Sequence, residues 1–233
     1  MSNSTVRTGL TVAVLTASAA ATTLAGASAA PSAPAAPVAA TAAVKTSRMD
    51  IDGDGRRDTT TLTLRNDPGT YTLETRTARG TRAATTFTVA YNGGNTDDVW
   101  QGATGLDGTP GAEIVVNPSP VGDGLSLRVY RWSRGKLVPQ AAPGRRAWRS
   151  VDDDWYVLAM PWGVQGYTFS TKRGVRYVVR HELHHDGNVP KMTGTHTTYR
   201  WKTSTKAWTK VATTPTGLVS TTRPSRSTPV SLV

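Results

Sequence analysis

MDIDGDGRRDTTTLTL, residues 49 to 64, joins a loop crowded with carboxylates directly to a strand. Asp50, Asp52, Asp54 and Asp58 stand at positions 1, 3, 5 and 9 of that loop. Carboxylates this close repel one another unless a cation sits among them. Hard oxygen ligands in this number suit Ca²⁺, which accepts roughly six to eight oxygens in flexible geometry. Gly53 and Gly55 permit the sharp turns that bring alternate side chains inward. The main-chain carbonyl of Arg56 is then placed as a further ligand. The expected metal set is therefore Asp50, Asp52, Asp54, Arg56 and Asp58, with calcium as the ion. The loop is not an EF-hand: Thr61 stands where the bidentate glutamate belongs, Arg57 replaces an apolar residue, and no helices flank it.

The strand signal continues outward from this loop. TTTLTLR (59–65), TYTLETR (70–76), TTFTVAY (85–91), AEIVVN (112–117) and LSLRVYRW (125–132) are short segments rich in Thr, Val, Tyr and Trp. Gly, Pro, Asn or Asp bound them. WYVLAMP, YTFSTKR, RYVVRHEL and THTTYRW extend the pattern. No window of about twelve residues carries a helical apolar stripe, so the expected class is all-β. Two internal echoes stand out. LRVYRWSRGKLV (127–138) resembles HTTYRWKTSTKAWTKV (196–211), each reading as a hairpin. MDIDGDGRRDTTT (49–61) resembles TGLDGTPGAEIVV (104–116) at an offset of 55 residues, a spacing typical of blades or arrays.

The D-x-D-G-D-G-x-x-D loop followed at once by a strand resembles the FG-GAP or VCBS repeats of integrin-like β-propellers. The resemblance implies a calcium loop between strands of a blade, held by Asp50, Asp52, Asp54 and Asp58 with Arg56 through its backbone. In the second copy Asp107, Gly108 and Glu113 fit, but Gly105 and Thr109 replace two carboxylates. That copy is expected to keep the fold and to have lost most calcium affinity. A full propeller needs at least about four blades, and this chain is long enough for two or three. The expectation is a partial or modified propeller-like assembly, or an oligomer that completes it, with a β-sandwich as the alternative.

The ends read differently from the middle. Arg7, the apolar run Leu10–Leu24 and the Ala27-Ser28-Ala29 site form a secretory signal over residues 1–29. No cysteine follows it to carry lipid, and no second apolar segment is present. A Pro/Ala-rich linker over 30–44 comes next. The folded part is expected at 45–212, with a polar, Pro-containing disordered tail at 213–233. The implied location is extracellular. The chain has no cysteine, so a core or a bound metal must replace the disulfides common in small secreted domains. Net charge is +11, and from Leu125 onward 18 Lys or Arg face 5 Asp or Glu. That bias fits a solvated basic surface or an anionic partner such as a cell-wall polymer or polysaccharide. No nucleic-acid module motif is present.

RYVVRHELHHDGNVP (176–190) contains H-E-x-x-H at His181, Glu182 and His185. On a helix that motif binds zinc. Here the alternation from Val175 to Leu183 and the Asp-Gly-Asn-Val-Pro break predict a strand. In a strand the two histidines lie about 13 Å apart, too far to share an ion. No Asp or Glu follows Asp186, and His196 is the only downstream ligand candidate. Asp152, Asp153 and Asp154 read as an exposed turn. The seven Trp against two Phe read as core and hairpin packing, with sugar platforms as the alternative. No G-x-S-x-G motif or P-loop is present. The leading functional expectation is a non-enzymatic calcium-stabilised binding or structural module. A zinc metallopeptidase and a carbohydrate or cell-wall binding protein are the alternatives.

Overall fold

The computed structural model describes residues 44–65, 67, 69–89, 96–119, 124–145, 154–160, 163–185 and 191–220. The expected signal segment, the linker up to residue 43 and the last thirteen residues, 221–233, lie outside the described residues. The first sheet is an antiparallel meander of β1 (Val44–Met49), β2 (Asp58–Leu64), β3 (Thr70–Arg76) and β4 (Arg82–Thr88). Alternation builds it. Tyr71, Leu73 and Thr75 of β3 are buried while their neighbours are not, and the Thr75 hydroxyl meets that of Thr60 across the strands at 2.9 Å.

A four-residue helix, α1 (Thr96–Val99), leads into β5 (Trp100–Thr104), β6 (Glu113–Val116), β7 (Gly124–Ser133) and β8 (Lys136–Pro139). After these come β9 (Trp155–Met160), β10 (Gly163–Lys172), β11 (Val175–His185), β12 (Lys191–Lys202) and β13 (Ala207–Ser220). Together β5 to β13 make a nine-stranded antiparallel sheet in the order β13-β12-β11-β10-β9-β7-β6-β5, with β8 paired to β7. Strand β7 is the branch point. Tyr130 has Ile114 of β6 on one side and Pro139 of β8 on the other, while Gly124–Leu127 pair with β9.

Two cores lie on opposite faces of β6. In the first, Leu62, Tyr71, Leu73 and Phe87 of the first sheet meet Ile114, Val116, Tyr130 and Leu137 of the second. Each such side chain contributes about 1.5–3 kcal/mol on burial. In the second, Val115, Leu127 and Val129 meet Trp155, Tyr167, Val178, Tyr199, Trp201 and Trp208. A strand covered on both faces reads as an unbroken apolar run, which is why Ile114-Val115-Val116 shows no alternation. The rings of Trp155 and Trp208 are 6.1 Å apart. Their strands are four positions apart, about 19 Å in a flat sheet. The nine-stranded sheet therefore coils strongly and wraps its own aromatic residues.

The all-β expectation holds, as two antiparallel sheets that close no barrel among the described residues. Both echoed Tyr-Arg-Trp segments are hairpins. β7 and β8 turn through Arg134 and Gly135, whose φ values of 51° and 75° are those of a type I′ turn. β12 and β13 pair Trp201 with Trp208 around residues 203–206. One boundary is corrected. The tail expected from Thr213 instead continues β13 to Ser220, pairing Thr213 with Thr197 and Ser220 with Lys191. Thr213, Thr214 and Pro215 are exposed, so this part of the edge strand needs no apolar alternation and its pairing with β12 holds it; Pro215 is tolerated because β13 is the edge strand among the described residues.

Candidate metal centre

The loop Asp50–Asp58 folds around its own carboxylates. Asp50 accepts the N–H groups of Gly53 at 2.8 Å and Gly55 at 2.9 Å. Asp52 accepts from Asp54 at 3.1 Å, and Asp54 from Arg56 at 2.9 Å. Asp58, only 1% exposed, closes the loop by accepting from Ile51 at 2.7 Å and Asp52 at 3.1 Å with one oxygen. Its other oxygen accepts from Ala78 in the β3–β4 turn at 2.8 Å. Gly53 and Gly55 have φ of +82° and +83°, where a side chain is strained. Between the carboxylates, Ile51 points into the first core and fixes the loop to it.

This arrangement brings carboxylate oxygens of Asp50, Asp52 and Asp58 within 4.8 Å of one another, a group that could hold a metal ion. Asp54 stands apart from that group. Its Oδ2 lies 2.8 Å from Nε of the exposed Arg79 yet is buried without an aligned hydrogen bond. Arg56 contributes its N–H to Asp54. The Asp52 carboxyl is pushed above its ordinary value. Burial is the first cause, the Asp54 N–H opposes it, and the charges of Asp58, Asp54 and Asp50 add to it. A cation placed among these oxygens would remove that repulsion.

The second loop repeats the architecture with different chemistry. Glu113 takes the place of Asp58, accepting from Leu106 at 2.6 Å and Asp107 at 3.4 Å. Asp107 takes the place of Asp52 and accepts both the N–H and the hydroxyl of Thr109, at 2.7 and 2.6 Å. Leu106 is buried as Ile51 is. Burial first, and then the Asp107 charge, push Glu113 up to about 8, against the N–H bonds from Leu106 and Asp107. At neutral pH the pair holds one proton where the first loop offers carboxylates to a cation. The two loops pack together. Ala112 N–H donates to Asp50 O at 2.7 Å, and a Cβ on Gly53 would come within 2.6 Å of Pro110 O.

The H-E-x-x-H residues lie in β11, a strand, as the alternation predicts. His181 pairs across to His196 of β12, with the two Nδ1 atoms 2.7 Å apart and Thr168 Oγ1 2.7 Å from His181 Nε2. Glu182 is bound to Arg180 at 2.7 Å. Strand alternation sends its side chain to the face opposite His181, so the three motif residues do not converge. The exposed turn expected at Asp152–Asp154 is corrected at Asp154; Asp152 and Asp153 lie outside the described residues. Asp154 is buried and forms an ion pair with Arg128 at 3.2 Å, because it sits where β9 enters the second core. Trp155, Trp201 and Trp208 are core residues, as expected.

Sequence reasoning missed Arg79 and Ala78. They lie in a plain turn of β3–β4 and carry no pattern that announces a partner twenty residues away. It also missed a cavity of about 300 Å³ where both loops meet the two Tyr-Arg-Trp hairpins. No family model, curated protein or solved structure matches the chain. No helix among the described residues is long and apolar enough to cross a membrane.

Proposed function

We propose that the chain is a secreted, calcium-stabilised β-repeat module of FG-GAP or VCBS type, which binds an extracellular partner and performs no chemistry on it. The observation that carries this reading is the convergence of Asp50, Asp52 and Asp58 oxygens within 4.8 Å, in a loop whose partly buried carboxylates repel. Calcium would be held by these three, with Asp54 and the Arg56 main-chain carbonyl as further oxygen donors. Its chemistry there is electrostatic, neutralising the loop that anchors β1, β2 and the β3–β4 turn. The net charge of +11 favours an anionic partner such as a wall polymer or acidic polysaccharide.

The test is thermal unfolding in chelator and in millimolar calcium. Binding to the native state alone stabilises by about 2.7 kcal/mol at a hundredfold excess over Kd. Asp52→Ala combined with Asp54→Ala should remove the gain. An unchanged Tm between chelator and calcium in the parent protein would sink the assignment.

A further inference from the structure

All four histidines of the chain lie on two neighbouring strands, His181, His184 and His185 on β11 and His196 on β12. The antiparallel register sets His181 directly opposite His196, and such cross-strand partners share one face of the sheet. Their rings meet edge to face, with planes at 75° and centroids 4.7 Å apart. The two Nδ1 atoms approach to 2.7 Å. On the other side of the ring, His181 Nε2 lies 2.7 Å from the hydroxyl of Thr168 on β10. Alternation sends His184 to the opposite face, and His185 stands about 13 Å along the strand from His181. Around the pair the positions are uncharged. Val179 and Leu183 flank His181 on β11, Thr198 follows His196 on β12, Gly166 of β10 pairs with His181, and Thr214 of β13 pairs with His196. These positions present a metal ion with no like charge.

Two imidazole nitrogens this close have two uses. With a proton between them they form one hydrogen bond. With each ring's hydrogen on Nε2, both Nδ1 lone pairs are available to a metal ion. Thr168 serves the second arrangement, because its hydroxyl can accept the His181 Nε2–H, the kind of outer hydrogen bond that orients metal-bound imidazoles. Histidine χ2 is a soft torsion, so the rings can turn both lone pairs toward one ion without moving the strands. Imidazole nitrogens sit about 2.0 Å from a first-row divalent ion. Two of them at the right angle of a tetragonal centre are then about 2.8 Å apart, while a tetrahedral angle spreads them to about 3.3 Å. The separation of 2.7 Å is close to the first value. Zinc sites also gather three or four protein ligands, and only two meet here. Copper(II) accepts nitrogen and oxygen in tetragonal geometry and heads the affinity order of the divalent series. Water can reach the pair past Thr168 and Thr214, both exposed.

We propose that His181 and His196 form a copper(II) site on this face of the coiled sheet, with the two Nδ1 atoms bound cis to one ion, water in its remaining positions and Thr168 orienting His181. The site is separate from the carboxylate loop and does not depend on calcium. Glu182 lies on the opposite face of β11, so the site is not that of a peptidase.

The experiment titrates CuCl2 into the purified full chain in millimolar calcium, which is silent in electron paramagnetic resonance, and reads the copper signal. One equivalent is expected to give an axial spectrum whose spin-echo modulation shows two imidazoles. His181→Gln and His196→Gln should each weaken binding about a hundredfold, because one ring then binds without the other. Thr168→Val should weaken it about tenfold. His184→Gln and His185→Gln should match the parent, and ZnCl2 should bind at least about tenfold more weakly than copper. Absence of stoichiometric copper, or a signal with fewer than two imidazoles, overturns the proposal. The spin-echo reading needs only the parent protein, so it decides even where a variant fails to fold. Undiminished binding in His181→Gln and His196→Gln, with near-ultraviolet circular dichroism matching the parent, means an adventitious ion only and also overturns it. So does a loss in His185→Gln as large as in His181→Gln. Zinc binding as tight as copper binding overturns the tetragonal assignment. The calcium melt reads the other site and can fail without changing this result.

Discussion

Glu113→Gln tests whether a proton does in the second loop what a cation is proposed to do in the first. The Glu113 carboxyl ionises near 4.5 when unfolded and near 8 when folded. Its folded value is raised, so the native state holds the extra proton between those limits. The stability it contributes is complete below about pH 4.5 and is lost as pH rises through 8. At about 1.4 kcal/mol per pH unit, the loss between pH 5 and pH 9 approaches 4 kcal/mol, with the proton belonging to the Asp107–Glu113 pair jointly. Glutamine is neutral at every pH, can accept the Leu106 N–H, and can donate to Asp107 as the protonated acid does. Urea unfolding at fixed excess calcium and at pH 5, 7 and 9 reads the effect. The variant should lie within about 1 kcal/mol of the parent at pH 5 and exceed it by about 2–4 kcal/mol at pH 9. Parallel pH profiles for variant and parent would refute the shared proton.

Three further outcomes follow from the packing. Gly111 has φ of +103°, and an added Cβ would sit 2.7 Å from Ile51 O, so Gly111→Ala should cost about 1–3 kcal/mol of stability in denaturant unfolding. Asp154→Ala removes the carboxylate facing buried Arg128, whose side chain is 8% exposed, and should cost about 3–5 kcal/mol by the same measurement. Glu182→Gln breaks only the half-exposed contact with Arg180 and should move Tm by no more than about 1 kcal/mol would. Metal-dependent casein cleavage lost in Glu182→Gln would instead restore the peptidase alternative.

What could be read from the sequence were features whose cause is local. The Asp50–Asp58 spacing is visible because alternate side chains of one loop must converge. The strand expected over Val175–Leu183, which runs to His185, is visible because β-branched residues alternate with polar ones within a single segment that an Asp-Gly-Asn-Val-Pro break ends. The echo of residues 49–61 in 104–116 is visible because the same turn chemistry, with Gly53 and Gly108 both at positive φ, recurs in the same place. Features with distant causes were hidden. Asp154 looks like any carboxylate in an acidic turn until β7 brings Arg128 against it. The stretch 213–220 looks like a polar tail because it is held by pairing with the backbone of β12, which no pattern within the stretch announces. Arg79 beside Asp54, and the cavity joining residues as far apart as Asp52 and Lys206, exist only once the sheets have packed and coiled.

The two loops solve one electrostatic problem in two ways, and their contact makes those solutions interdependent. Asp58 and Glu113 occupy equivalent places, each gathering two N–H groups of its own loop. Around Asp58 the neighbouring carboxylates of Asp50 and Asp52 could hold a cation; around Glu113 Thr109 stands in place of a carboxylate, and the raised pKa of Glu113 keeps a proton there. The Ala112-to-Asp50 hydrogen bond and the close Gly53–Pro110 and Gly111–Ile51 approaches join the loops directly. Beyond them, Arg176 of β11 donates to Leu106 O at 3.0 Å and Gly105 O at 3.2 Å, tying the coiled sheet to the same junction. If calcium occupies the first loop, chelation and alkaline pH each loosen one side of a shared contact. Neighbouring sites of this kind couple by about 0.5–3 kcal/mol. The stability lost to chelator at pH 9 should therefore differ from that lost at pH 6, and Glu113→Gln should abolish the difference. Equal losses at both pH values in the parent would mean that the loops touch without communicating.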